Sequence, residues 1–147
     1  KAGLRKLLEI LSDQMKNLTK PEDFTVEAET GWQGYGVKVE QGEAIYMKAS
    51  GDWTVGPIFG SCGPEGRSLD QMNSEDKTKC ILEGPRGALI MRVASMENSG
   101  YIVGRQQFGA APSSGLVQFR CNDQGEGGTF YKRSGTIKVT ITVRKAK

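Results

Sequence analysis

The stretch Gly135-Thr136-Ile137-Lys138-Val139-Thr140-Ile141-Thr142-Val143-Arg144 decides the fold. Its apolar residues sit at 137, 139, 141 and 143, and its polar residues between them. Successive side chains of a strand point to opposite faces, so a strict period of two describes a strand buried on one side and wet on the other. Sheets with one wet face are characteristically antiparallel. Working outward, Tyr35, Val37 and Val39 alternate in the same way with Gly36, Lys38 and Glu40. Residues 44–49, 53–58, 87–94, 101–108 and 116–121 read as further strands. Turn signals separate them: Gln41-Gly42, Ser50-Gly51, Gly84-Pro85, the 112–115 segment and Ser134-Gly135. The 20 glycines among 147 residues are about twice the usual share and suit a chain of many tight turns. Seven to nine short strands without helices between them imply an all-β, antiparallel sandwich or barrel. No internal repeat is visible.

The first twenty residues follow a different period. Leu4, Leu7, Leu8, Leu11, Met15 and Leu18 recur at helical spacing among charged residues, and Pro21 closes the pattern. This predicts an N-terminal amphipathic helix of about four to five turns. Its apolar stripe suits packing on the domain or self-association, and the tail of an upstream domain is a rival reading. A membrane-surface helix is disfavoured, because Glu9 and Asp13 interrupt the basic face.

Composition removes several function classes. The chain has no histidine, which excludes Ser-His-Asp and Cys-His nucleophile sites, an imidazole base and His-ligated zinc. Cys62, Cys80 and Cys121 form no CxxC motif, so zinc-ribbon and thioredoxin-type chemistry is also absent. Three cysteines fit either buried thiols or one disulfide with one thiol. The net charge of +3 comes from 20 basic and 17 acidic residues that are interspersed, which argues against nucleic-acid binding. Hydrophobic residues at 37% and charged residues at 25% describe a folded globular chain rather than a membrane span.

Two loops stand out. Residues 60–78 are long, polar and glycine-rich, and residues 122–133 carry Asp123, Glu126, Lys132 and Arg133. Long loops on a rigid sandwich are where binding groups concentrate. The Asp123 to Gly128 run interleaves carboxylates with glycine, as a calcium loop does, but lacks EF-hand spacing. The 60–67 segment lacks the ending of a phosphate-binding loop and reads as turns. Trp53, Tyr35, Tyr46, Phe119 and Phe130 are aromatic candidates for stacking on a sugar, with core packing the more ordinary fate of each. Trp32 and Tyr131 fall next to loops.

A longer pattern emerges when these pieces are read in order. Trp32-x-Gly34-x-Gly36 is followed by Gln41-Gly42-Glu43, then by Ala49-Ser50-Gly51-x-Trp53-x-x-Gly56-Pro57 and Gly63-Pro64-x-Gly66. Next come Gly87-Ala88-Leu89-Ile90-Met91-Arg92-Val93, Ala111-Pro112, Asn122-Asp123 and Thr129-x-x-x-x-Ser134-Gly135. From Trp32 to Val143 this resembles the PA-I-type galactophilic lectins and the wider galactose-binding-like β-sandwiches. The resemblance implies a jelly-roll-like antiparallel β-sandwich over residues 23–147, with residues 1–22 forming the helix and its linker. It also implies one calcium ion at the end of the sandwich, completed by two sugar hydroxyls. In those lectins the ligands are the Asp of the Asn-Asp pair, an Asn-Asn pair before the last Ser-Gly, and main-chain carbonyls. Carried over, Asp123 matches the ligand carboxylate, Thr129 and Val55 match the carbonyl donors, and Gln71 roughly matches a sugar-contacting Gln.

Lys132-Arg133 stand where the resemblance calls for Asn-Asn, the loop is two residues longer, and the family's sugar-contacting His is missing. Neither Lys nor Arg offers a lone pair to a cation. Two positive charges a few Å away repel a dication even at an effective dielectric of about 20. The reading is therefore of a non-catalytic, lectin-like module that binds a glycan or small sugar without calcium or another cofactor. Lys132 or Arg133 would fill the cation's place beside Asp123 and Glu126, and an arginine fork can grip vicinal hydroxyls or an anionic sugar. The expected ligand-binding set is Gln71, Asp123, Glu126, Thr129, Lys132 and Arg133. The alternative is an assembly domain that has lost sugar binding and joins another protein, or itself, through the N-terminal stripe.

Overall fold

The computed structural model describes residues 2–15, 18–55, 60–96, 99–124 and 133–145. Within them the chain forms helix α1 (Ala2–Met15), strands β1 (Glu22–Glu27), β2 (Gln33–Val39), β3 (Ala44–Thr54) and β4 (Ser61–Cys62), and helix α2 (Ser74–Lys79). Strands β5 (Leu89–Val93), β6 (Tyr101–Ile102), β7 (Gln106–Ala110), β8 (Gly115–Cys121) and β9 (Ser134–Arg144) complete it. All pairings are antiparallel. One sheet runs β1-β9-β3-β4, with β7 also on β3, and the other runs β2-β8-β5-β6. The all-β sandwich with an N-terminal helix is thus the architecture.

The alternation in β9 does what its pattern requires. Ile137, Val139, Ile141 and Val143 are buried while Lys138 and Arg144 are exposed. Opposite them in the same core lie Leu89, Met91, Val117 and Phe119 from the second sheet. The indole of Trp53 is buried between the layers, and its Nε1 donates to the Gly87 carbonyl at 2.6 Å. Burying a polar N–H without such a partner is costly, so this bond fixes the ring as well as satisfying it.

Three local expectations are corrected. Ser50-Gly51 is no turn: β3 continues through it, paired with β9 from Ala44 opposite Arg144 to Thr54 opposite Ser134. Gly51 lies in the strand at φ 114°, where a Cβ would stand 3.0 Å from the Thr136 carbonyl. A glycine relieves the local geometry while the partner strand carries the pairing through. The strand expected over 53–58 is the tail of β3 and ends at Thr54; residues 56–59 lie outside the described residues. The single strand expected over 101–108 is two, because the chain crosses between sheets at Gly104, φ 66°. There Ala49 N–H donates to the Arg105 carbonyl at 2.8 Å and draws the chain onto β3.

Two further differences concern helices. The 60–78 loop contains a helix of its own, α2, so the strands are not helix-free between one another. The N-terminal helix ends at Met15 rather than running to Pro21. Leu18 is extended and bridges Arg144, and Thr19 N–H donates to the Val143 carbonyl at 2.8 Å. On α1, Leu4, Leu7, Leu8 and Ile10 are all exposed, Leu4 by 64%. The stripe, expected to pack on the domain or to self-associate, is therefore open at Leu4, Leu7 and Leu8. The side chains of Leu11 and Met15 lie outside the described residues.

Candidate functional site

The 60–78 and 80–87 segments meet the loop after β8 at one end of the sandwich. Helix α2 begins with a reciprocal cap. Asn73 Oδ1 accepts from Asp76 N–H at 3.0 Å, and Asp76 Oδ2 accepts from Asn73 N–H at 3.0 Å. Such a box satisfies two of the orphan donors of a helix start. It also orients the Asp76 carboxylate, which is 1% exposed. Its second oxygen, Oδ1, accepts from Arg67 and from Arg86 Nη1, the latter at 3.1 Å. The Arg67 backbone N–H donates to the Arg86 carbonyl at 2.8 Å, which holds the two arginines side by side.

Arg86 is fully buried. Its Nη2 lies 3.6 Å from Oδ2 of Asp123, which is buried as well. An unpaired charge in such surroundings is prohibitive, so one guanidinium between two carboxylates is a mutual requirement. Asp123 is further held through its backbone: its carbonyl accepts from Arg133 Nη1 at 2.7 Å and from Arg120 Nη2 at 3.1 Å. Arg133 Nη2 also donates to the Glu29 carbonyl at 3.2 Å and so ties the site to the β1–β2 turn. Burial, and then the nearby Arg133 charge, lower the pKa of Arg120. The Arg92 guanidinium lies 4.5 Å, and that of Arg120 5.8 Å, from the Trp32 ring centroid.

Asn122 is the neutral hub of the same region. Its Oδ1 accepts from the N–H groups of Ile81 and Leu82, both at 2.9 Å, and its Nδ2 donates to the carbonyls of Leu82 and Pro85, both at 3.0 Å. A buried amide with all four positions filled locks the 81–85 segment onto β8. Gly66 lies flush against this segment, since a Cβ there would stand 2.6 Å from the Ala88 nitrogen. Beside the network opens a groove of about 590 Å³, lined by Leu69, Met72, Ile81 and Leu82, with Lys77 and Glu83 among its polar members.

Of the expected site residues, Gln71 and Asp123 are linked through this network. The Gln71 side chain is exposed, and its carbonyl accepts from Arg67 Nη2 at 3.4 Å. Arg133 meets Asp123 at the main-chain carbonyl, whereas the carboxylate faces Arg86. Val55 is buried against Gly87, whose added Cβ would lie 3.1 Å from Val55 Cγ1. Glu126, Thr129 and Lys132, with Phe130 and Tyr131, lie outside the described residues. Sequence reasoning missed Arg86, Asp76 and Arg67. The one available signal was the Asn73-x-x-Asp76 spacing of a capping box.

The aromatic candidates divide. Trp53 and Phe119 are core. Tyr35 stacks on Phe24 with centroids 4.3 Å apart and donates to the Thr25 carbonyl. Tyr46, expected more readily in the core, is 40% exposed. The three cysteines are free thiols. Burial pushes Cys62 and Cys80 up to about 11 and Cys121 well above its ordinary value, so each is a protonated, poorly nucleophilic thiol at neutral pH. Among the described residues no three carboxylate or thiol side chains come together as a metal cluster.

No protein-family model and no curated protein matches the chain. Among solved structures it is similar to an EclA N-terminal domain described as a PllA-like lectin, with a TM-score of 0.61 and 22% identity. The likeness covers 87% of this chain and 98% of that one. What the two share at this identity is the fold, a β-sandwich of the kind that lectin domain adopts.

Proposed function

We propose that this chain is a non-catalytic carbohydrate-binding module of galactose-binding-like, jelly-roll type that works without calcium. The observation that carries the reading is the buried Arg86 guanidinium beside Asp123, the residue that the family resemblance makes a calcium ligand. A dication at that carboxylate would stand a few Å from a fixed positive charge and would have to expel it. The donors described here therefore do not fit a calcium ion. Arg86 does the positioning that a metal would do, since it holds the 60–78 loop, through Asp76, against the loop that follows β8. Arg133, held by the Asp123 and Glu29 carbonyls, and the exposed Gln71 side chain are assigned to the ligand site on sequence grounds, as are Glu126, Thr129 and Lys132. Arginine forks grip paired hydroxyls or a carboxylate bidentately, which suits a sugar without an intervening ion.

The test is thermal melting of the whole chain against a monosaccharide panel, each sugar with calcium and with a chelator. A sugar present at 100 times its Kd adds about 2.7 kcal/mol, which is several degrees for a domain of this size. The expected result is a sugar-dependent shift that the chelator does not alter. A shift that needs calcium would sink the metal-free site, and no shift with any sugar would leave the assembly reading.

That second reading has its own support in the exposed Leu4, Leu7, Leu8 and Ile10 of α1. An uncovered apolar stripe is a common mark of a docking helix. Light scattering that finds a concentration-dependent mass would favour it. Multivalency through such a helix is compatible with glycan binding, because it raises avidity.

A further inference from the structure

The outer face of the five-stranded sheet carries an aromatic pair that the core does not need. Phe108 of β7 stands directly opposite Tyr46 of β3, with ring centroids 4.5 Å apart and planes tilted by 38°. They are 61% and 40% exposed. The register places Thr142 of β9 opposite Tyr46, and both Gln106 and Thr140 opposite Lys48. Two shallow grooves, of about 230 and 360 Å³, share Lys48, Gln106 and Thr140 and so run together along β3.

The charges on this face are uneven. Lys138 lies 3.5 Å from Asp23, which also accepts from the Thr140 hydroxyl at 2.6 Å, and Arg105 lies 2.7 Å from Glu65. Among the described residues no carboxylate lies within ion-pair distance of Lys48 or Arg144. Those two cations bracket the aromatic pair along the strand direction, because Arg144 stands opposite Ala44 and Thr140 opposite Lys48.

From this arrangement we infer a second binding surface, built by Tyr46 and Phe108 with Lys48, Gln106 and Thr142, for an anionic oligosaccharide of the uronate or sulfated class. Ring faces carry negative charge and attract the slightly positive C–H face of a pyranose. Amide and hydroxyl groups set at the inter-strand spacing of about 4.8 Å meet hydroxyls along the sugar chain. Lys48 and Arg144 complement its carboxylates or sulfates. The surface is separate from the site at the end of the sandwich, and either can fail alone.

The test is affinity electrophoresis of the full chain in gels containing polygalacturonate, with neutral dextran and poly-glutamate as comparisons. Polygalacturonate should retard the protein, and the other two should not. Phe108→Ser should weaken that retardation about tenfold. Lys48→Gln should weaken it about threefold and flatten its dependence on salt. Phe108 is exposed, so the Ser variant is expected to keep its melting temperature within a few degrees, which is checked first. Three results would overturn the inference: no retardation, retardation untouched by Phe108→Ser, or equal retardation by dextran or poly-glutamate. Equal retardation by poly-glutamate would point to a general polyanion or acidic-peptide surface instead, and equal retardation by dextran to a surface for neutral sugars.

Discussion

Two of the ion-pair regions among the described residues of this sandwich use the same chemical groups under opposite conditions. At its end, Arg67, Asp76, Arg86 and Asp123 are joined with little or no exposure of the acids and of Arg86. On its outer face, Arg105–Glu65 and Lys138–Asp23 are more than half exposed at every member. The exposed pairs have water as a ready substitute partner, so losing either one changes little. The buried members have none, so each makes the others obligatory. The buried network holds three loops in place, whereas the exposed pairs leave their cations free to exchange partners.

The largest effect is expected from Arg86→Ala. It removes the buried cation that Asp76 and Asp123 share, leaving Asp76 with Arg67, and should lower stability by about 3–5 kcal/mol, lowering Tm on the order of 10 °C. Denaturant unfolding at neutral pH measures it. A loss under about 1 kcal/mol would mean that water reaches Asp76 and Asp123 freely and that the two regions do not differ. Asn122→Ala separates charge from hydrogen bonding in the same place. It leaves the Ile81 and Leu82 N–H groups without their acceptor, at about 3 kcal/mol. A loss clearly larger than that of Arg86→Ala would show that satisfied polar contacts, rather than charge, hold this end together. The smallest effect is expected from Arg105→Gln, within about 0.5 kcal/mol and weaker still in high salt. A clear drop there would break the comparison from the other side.

Much of this contrast was closed to sequence reading, for identifiable reasons. The alternation at 137–143 revealed β9 because its signal is local and its burial one-sided. Arg86 sits in Gly84-Pro85-Arg86-Gly87, a turn signal that places arginine in water by default. Its burial is decided by Asp76, ten residues away, and by Asp123 on another strand. Asp123 was legible through its motif, but its partner was not, because motifs record which residues recur and not which charge faces them. Gly51 misled because a Ser-Gly pair signals a turn only where no partner strand continues past it. Tyr46 was misplaced although the information was present: it is out of phase with Ile45 and Met47, so the alternation of β3 turns it outward. Strand parity was the better guide there than the tendency of aromatic residues to be buried.

The placement of β9 also has a kinetic consequence. It lies between β1 and β3, so a strand from the last fifteen residues of this sequence occupies the interior of the five-stranded sheet. During synthesis β1 and β3 leave the ribosome long before the strand that joins them. Until it arrives each presents an open edge, and the pairing of Glu22 with Ile141 must close a loop of more than a hundred residues. Assembly of that sheet is therefore an event that waits for β9. A ribosome stalled short of Ser134 would hold β1 and β3 unjoined, each with an edge open to other chains.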